Sequence, residues 1–157
     1  MKDRLNPIET QYYVSRFRAE IVNLKSVIDE ALAYYDGAFS PMDDDTRLEL
    51  KVVLNELLIN AIKHGSKAGI VCYVKIVAGM VSEDCALLIV EDDGDGYDTA
   101  AFKNRAGFPS GSKLDDIEET GRGIYLVKSL CEDFMVNEKG NKVVINKRLR
   151  RTTAINN

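Results

Sequence analysis

The strongest constraint on how this chain can fold is a pair of apolar runs. They are Ile70-Val71-Cys72-Tyr73-Val74-Lys75-Ile76-Val77-Ala78 and Cys85-Ala86-Leu87-Leu88-Ile89-Val90-Glu91-Asp92, separated only by Gly79–Asp84. Both read as buried strands. A parallel pair needs a crossover of about a dozen residues or more, so two strands joined this closely form a hairpin, and the sheet is antiparallel at least in part.

Other elements group around that hairpin. Tyr12-Tyr13-Val14-Ser15-Arg16-Phe17 holds strand-forming residues in partial alternation. From Ala19 to about Asp36, Ile21, Leu24, Val27, Ile28, Ala31 and Leu32 recur at spacings of three and four, which predicts an amphipathic helix ended by Gly37. A second helix is expected from about Asp44 to Lys63. Of the three aspartates at its start, Asp43-Asp44-Asp45, one caps the helix and the others favour its positive end; three adjacent carboxylates are also compatible with a metal site. Residues 121 to about 131 read as a helix, and Phe134–Val136 with Lys142–Leu149 as a closing strand pair around Glu138-Lys139-Gly140-Asn141.

Between Tyr97 and Thr120 no period is sustained, and a loop that long inside a small domain is usually functional or mobile. No repeat, linker or low-complexity tract interrupts the pattern, so a single domain over 1–157 is expected, with its core at about 10–150. A chain of 157 residues, 45% hydrophobic, is long enough to bury a core without disulfides or metals.

Charge and cysteine content narrow the function classes. A net charge of −4 argues against broad nucleic-acid binding, which runs on excess Lys and Arg. The one basic cluster, Lys147-Arg148-Leu149-Arg150-Arg151, reads as a solvated strand end and tail. Cys72, Cys85 and Cys131 are widely spaced and form no CxxC pair, and His64 is the single histidine; this disfavours zinc and fits thiols in a reducing cytosol. The opening Met1-Lys2-Asp3-Arg4 leads into no apolar run, and no stretch approaches ~18 apolar residues. No signal peptide and no membrane span are expected, and a cytoplasmic location is.

Three short segments carry the chemistry. The first is Glu56-Leu57-Leu58-Ile59-Asn60-Ala61-Ile62-Lys63-His64. With Glu56 at zero on a helix turning ~100° per residue, Asn60 falls at about 40° and Lys63 at about −20°. Glu49 and Lys67 share that arc, while Leu50, Leu54, Leu57 and Ala61 face the core. Such a stripe is either a solvated helix face or a ligand face. In the second case Asn60 offers a neutral oxygen to Mg²⁺, Glu56 accepts a proton, and Lys63 meets phosphate charge.

The second segment, Asp92-Asp93-Gly94-Asp95-Gly96, follows an apolar strand. It reads either as a plain turn or as a place where glycines let a ligand approach the backbone and Asp92 accepts a hydrogen bond from an amine. A calcium loop is disfavoured, because the glutamate an EF-hand needs at its twelfth position is absent. The third segment, Gly121-Arg122-Gly123-Ile124-Tyr125-Leu126-Val127, opens a helix, as phosphate-binding turns do and as many structural turns do. A Rossmann site is disfavoured, since no strand precedes Gly121 and Leu126 stands at the third glycine position; a P-loop is excluded by the missing Gly-Lys-Ser/Thr ending.

In this order, joined by two strands and a long loop, the segments resemble the GHKL (histidine-kinase-like) ATPase superfamily over about residues 10–150. They match its N box, its Asp-x-Gly-x-Gly box and its Gly-x-Gly box, with an ATP lid at about 97–120. The chain is most similar to the small bacterial anti-sigma factor serine/threonine protein kinases: the domain stands alone, the Gly121–Leu130 segment looks like theirs, and position 56 is Glu. A serine hydroxyl benefits from a base there, whereas a histidine nitrogen is already nucleophilic.

The resemblance implies an α/β (α+β) two-layer sandwich of a mixed, mostly antiparallel sheet with helices on one face, the Bergerat ATP-binding fold. It implies ATP and Mg²⁺ as cofactors, Glu56 as general base and Asn60 as metal ligand. Asp92 would read adenine, Gly94 and Gly96 would shape the base pocket, and Gly121, Arg122, Gly123 and the Ile124 amide would cover the phosphates. Lys63 and His64 would line the pocket.

The implied activity is γ-phosphoryl transfer to a serine of an antagonist protein, with a sigma factor as second partner. A homodimer is possible by the same resemblance; neither nucleic acid nor membrane is implied. Two other readings remain: a nucleotide-dependent partner-switching module without kinase activity, and the detached catalytic domain of a histidine kinase. Two positions depart from the relatives. Gly140-Asn141-Lys142 stands where Gly-Thr-Thr is frequent, and Glu118-Glu119-Thr120 stands where some relatives carry a phosphate-binding arginine, a role open to Arg122 or Lys113.

Overall fold

Period-two alternation decides which way each strand faces, and in the computed structural model it builds one five-stranded sheet. The structure describes residues 11–66, 69–94 and 119–153, with 119–121 described by backbone alone. The strands are β1 (Tyr13–Arg18), β2 (Tyr73–Met80), β3 (Cys85–Asp92), β4 (Asp133–Val136) and β5 (Lys142–Arg148). Their order is β1-β2-β3-β5-β4, and every pairing among these strands is antiparallel, so the mixed component expected of the sheet is absent from the described strands. The hairpin joining β2 and β3 is tighter than its sequence suggests, because Gly79 and Met80 still belong to β2.

Register lines up the inward residues. Ile76 pairs with Val90 and Val90 with Val143, while Ala78 pairs with Leu88 and Leu88 with Ile145. All six are buried. Asp92 continues the same alternation as Ala86, Leu88 and Val90, so the last inward position of β3 is a carboxylate.

Helices cover that inward face. Helix α1 (Leu24–Ala38) buries Val27, Ile28, Ala31, Leu32 and Tyr35, and the Tyr35 hydroxyl donates to the Leu87 carbonyl. It follows a short 3-10 turn at Ile21–Asn23 and runs through Gly37 rather than ending there. Gly37 does not adopt the left-handed conformation that terminates helices at glycine. The helix stops instead where Phe39 turns into the core.

Helix α2 (Asp44–Gly65) buries Leu50, Val53, Leu54, Leu57, Leu58 and Ala61. Its start is as expected: Asp43 Oδ1 accepts a hydrogen bond from the Thr46 amide at 2.7 Å, and Asp44 and Asp45 occupy the first turn. Helix α3 (Glu119–Leu130) packs on α2 and adds Ile124 and Val127 to the core. Of the expected lid, residues 97–118 lie outside the described residues, as do Gly96, Lys113 and Lys67; Glu119 and Thr120 belong to α3.

The basic cluster at 147–151 is solvated only at its arginines: Arg148, Arg150 and Arg151 are exposed, whereas Lys147 is not. Lys147 is 2% exposed; its ammonium pairs with Glu49 Oε2 at 2.6 Å and donates to the Leu130 carbonyl at 2.7 Å. Arg148 pairs with Asp84 at 2.9 Å, Arg150 with Glu49 at 3.1 Å, and the Arg151 guanidinium lies over the Phe39 ring. Alternation turns Lys147 inward, and a buried ammonium is tolerated only where acceptors meet it.

Candidate functional site

Three elements converge where α2 ends, where β3 ends and where α3 begins. Between the helices is a cavity of about 290 Å³ lined by Glu56, Ile59, Asn60, Lys63, Arg122, Gly123 and Leu126. That volume sits near the lower end of ligand pockets. The helical arc predicted for Glu56, Asn60 and Lys63 therefore does face one space, and Arg122 and Gly123 line it from across. Ile59 and Leu126 were not among the expected site residues. Each lies three residues beyond an expected one, Glu56 and Gly123, which is the helical spacing that could have found them.

Asn60 is the most informative side chain here. It is 4% exposed, it lines the cavity, and its Nδ2 has no hydrogen-bond partner. A buried amide left unpaired costs about 1–3 kcal/mol, so a native fold that retains one generally meets it with something else. A carboxamide also carries an oxygen, a hard neutral ligand that suits Mg²⁺. Among the described residues no group of three or more His, Cys, Asp and Glu could hold a metal ion. A cation here would thus have Asn60 with phosphate and water oxygens, the coordination Mg²⁺ favours. The residues fit the ion in that sense.

Gly123 explains how α3 comes so close. A Cβ at this position would overlap Glu56 Oε2, so the helix lies directly on the Glu56 carboxyl group. The Gly-x-Gly segment, expected to open the helix, lies within it: α3 begins two residues earlier, at Glu119. A helix leaves its first four N–H groups without an intrahelical partner, and in α3 Gly121 falls among those four while Gly123 and Ile124 lie beyond them. The Ile124 side chain is buried in the core.

Asp92 lies apart from this cavity, at the end of β3 and beneath the C-terminus of α2. It is 5% exposed, and its Oδ1 accepts from the Gly94 amide at 2.7 Å. Burial raises its carboxyl above the ordinary aspartate value, with the Gly94 hydrogen bond acting the other way. Room for it comes from two glycines. A Cβ on Gly65 would stand 3.1 Å from Asp92 Cβ, and one on Gly94 would overlap the His64 carbonyl.

His64 thus contributes its backbone to the Asp92 side and does not line the cavity with Lys63. Asp93 does a different job from its neighbour: its Oδ2 accepts from the Tyr73 amide at 2.9 Å, which ties the turn to β2. The Asn141 departure also has a structural counterpart, since its Nδ2 donates to the Asp92 carbonyl at 2.8 Å.

A helix face with carboxylate and amide, a buried carboxylate at a strand end and a glycine segment early in a facing helix all sit on this one five-stranded fold. The chain belongs to the histidine kinase-like ATPase domain family, which matches residues 17–147. It is similar to the serine-protein kinase RsbW of Staphylococcus aureus strain MSSA476, with 26% identity over 147 residues, covering 92% of this chain and 85% of that protein. The RsbW of strain JH9 matches at the same identity and coverage. Among solved structures, the mycobacterial sensor histidine kinase MprB matches with a TM-score of 0.46 at 16% identity, covering 88% of this chain and 100% of that one. No helix among the described residues is long and apolar enough to cross a membrane.

Proposed function

We propose that this chain is an ATP- and Mg²⁺-dependent serine/threonine protein kinase of the anti-sigma type, acting on a serine of an antagonist protein and binding a sigma factor as its other partner. The observation that carries this reading is the shared cavity, where the Glu56 carboxyl and the buried, unpartnered Asn60 amide face the first turn of α3. The relatives named serine-protein kinases support the same class.

In this mechanism the serine oxygen forms its bond to the γ-phosphorus as the bond to the β–γ bridging oxygen breaks, ADP leaves, and the serine proton passes to Glu56. Asn60 would hold Mg²⁺, which would neutralise charge on the phosphates. Lys63 and Arg122 add positive charge from either side of the cavity, and the Gly121 amide meets a phosphate oxygen. Arg122 takes the phosphate-binding role that Glu118-Glu119-Thr120 does not supply. Asp92 accepts the adenine amine.

The test is purified protein with ATP, Mg²⁺ and the candidate antagonist. Phosphoserine on the antagonist is expected, and Glu56→Ala should reduce its formation by about 10² to 10⁴ while ATP affinity, measured by calorimetry, stays near wild type. Normal transfer by that variant would remove Glu56 as the base. Nucleotide-dependent complex formation without phosphoserine would instead identify a partner-switching module, and acid-labile phosphate on a partner histidine would identify a histidine kinase catalytic domain.

A further inference from the structure

Asp92 has both sides of its main chain held. Toward β2, the next residue is tied: the Asp93 amide donates to the Tyr73 carbonyl at 3.3 Å, and Asp93 Oδ2 accepts from the Tyr73 amide at 2.9 Å. Toward β5, the Asp92 amide donates to the Asn141 carbonyl at 2.9 Å, and Asn141 Nδ2 donates back to the Asp92 carbonyl at 2.8 Å. The second grip depends on a side chain that must point one way.

Asn137 sets that direction. Its Oδ1 accepts from the backbone amides of Gly140 at 2.9 Å, Asn141 at 3.1 Å and Lys142 at 3.1 Å. Three N–H donors on one atom identify it as the oxygen, so the other amide atom is the NH2, and it donates to Asn141 Oδ1 at 2.8 Å. That leaves the Asn141 NH2 for Asp92. The turn closes because Gly140 adopts a φ of +79°, where a side chain would be strained.

We propose that Asn141, oriented by Asn137, is a positioning residue that fixes the Asp92 carboxyl and so sets discrimination between adenine and 6-oxopurines. The proposal rests on the reading of Asp92 as the residue that meets the base. One carboxyl oxygen is committed to the Gly94 amide, so the group has little freedom to recover if its main chain shifts. An adenine amine donates to a carboxylate, whereas the oxygen at the same position of hypoxanthine repels it. Discrimination is therefore steep in the position of Asp92, while phosphate binding, at the Asn60–Arg122 cavity, is not.

The experiment measures dissociation constants of the full chain for ATP and for inosine triphosphate, with Mg²⁺, beside thermal unfolding. Asn141→Leu removes the donor. Asn137→Asp keeps the oxygen that closes the turn but replaces the NH2 with a second acceptor, which draws the Asn141 NH2 away from Asp92. Both variants are expected to weaken ATP roughly tenfold and to leave inosine triphosphate nearly unchanged, with Asn137→Asp melting close to wild type.

Asp92→Asn provides the reference for losing discrimination altogether. If it collapses the ratio of the two constants while both asparagine variants, still folded, preserve it, Asn141 is a turn residue only and the proposal fails. If Asp92→Asn itself leaves the ratio intact, the base-reading role of Asp92 falls and the proposal falls with it.

Discussion

The two halves of helix α2 carry the same kind of side chain on the same arc and use it in opposite ways. In the first half, Glu49 is met by Lys147 at 2.6 Å and by Arg150 at 3.1 Å, while Asp43 caps the helix and reaches Arg150 at 3.5 Å. In the second half, Asn60 is more buried than Glu49 yet its amide nitrogen has no partner, and Glu56 and Lys63 face a cavity. Polarity at a helix face therefore says little by itself. What separates a structural end from a ligand-binding end is whether the protein supplies the complementary group.

Removing Glu49 tests the partnered half and should have the largest effect on stability. Glu49→Ala leaves Lys147 buried with only the Leu130 carbonyl, and a loss of about 3 kcal/mol in chemical denaturation is expected. Burial alone would raise the Glu49 carboxyl, but the bonds from Lys147 and Arg150 outweigh it and hold the group below its ordinary value. Its contribution is thus present above the ordinary carboxylate range and lost as pH falls through the lowered value. The gap between wild type and variant should close on acidification. Nucleotide affinity of the folded variant should be unchanged; if it drops, the two halves are coupled and the contrast fails.

Asn60→Leu tests the other half, with the opposite sign. It replaces an unpartnered buried amide with an apolar group of similar size, so stability should rise by about 1 kcal/mol. Mg²⁺-dependent nucleotide binding should be lost at the same time. A variant that is markedly destabilised instead would show that the amide has a structural partner and belongs with Glu49.

Features governed by local rules were legible in the sequence. The β2–β3 hairpin and the aspartate cap of α2 follow from loop length and capping chemistry. The shared face of Glu56, Asn60 and Lys63 follows from the helical period. Features that depend on a distant partner were not. Lys147 lies in a run of basic residues, and only its pairing with Glu49, 98 positions away, makes it a core residue.

The same holds for Gly123, whose close approach is to Glu56, and for Asn141, which grips Asp92 from 49 positions away. Gly37 failed as a stop signal for a related reason: the burial of Phe39 governs where α1 ends.

Asp92 combines the two behaviours, and it gives the smallest expected effect. The fold supplies one donor, the Gly94 amide, yet burial still raises the carboxyl above its ordinary value. For an acid with a raised value in the folded state, the sign is the reverse of Glu49: stability is fully present below the ordinary aspartate value and declines as pH rises through the folded one. Asp92→Asn keeps an oxygen for Gly94 and removes the charge. Its melting temperature should therefore exceed that of wild type slightly at neutral pH, and the advantage should shrink as pH falls through the raised value and the wild-type carboxyl takes up its proton. Loss of ATP affinity in a variant that melts higher would mark the ionised carboxyl as a group kept at the expense of stability for a ligand. A melting temperature that falls at neutral pH would place Asp92 with the partnered half of α2 instead, as a structural carboxylate.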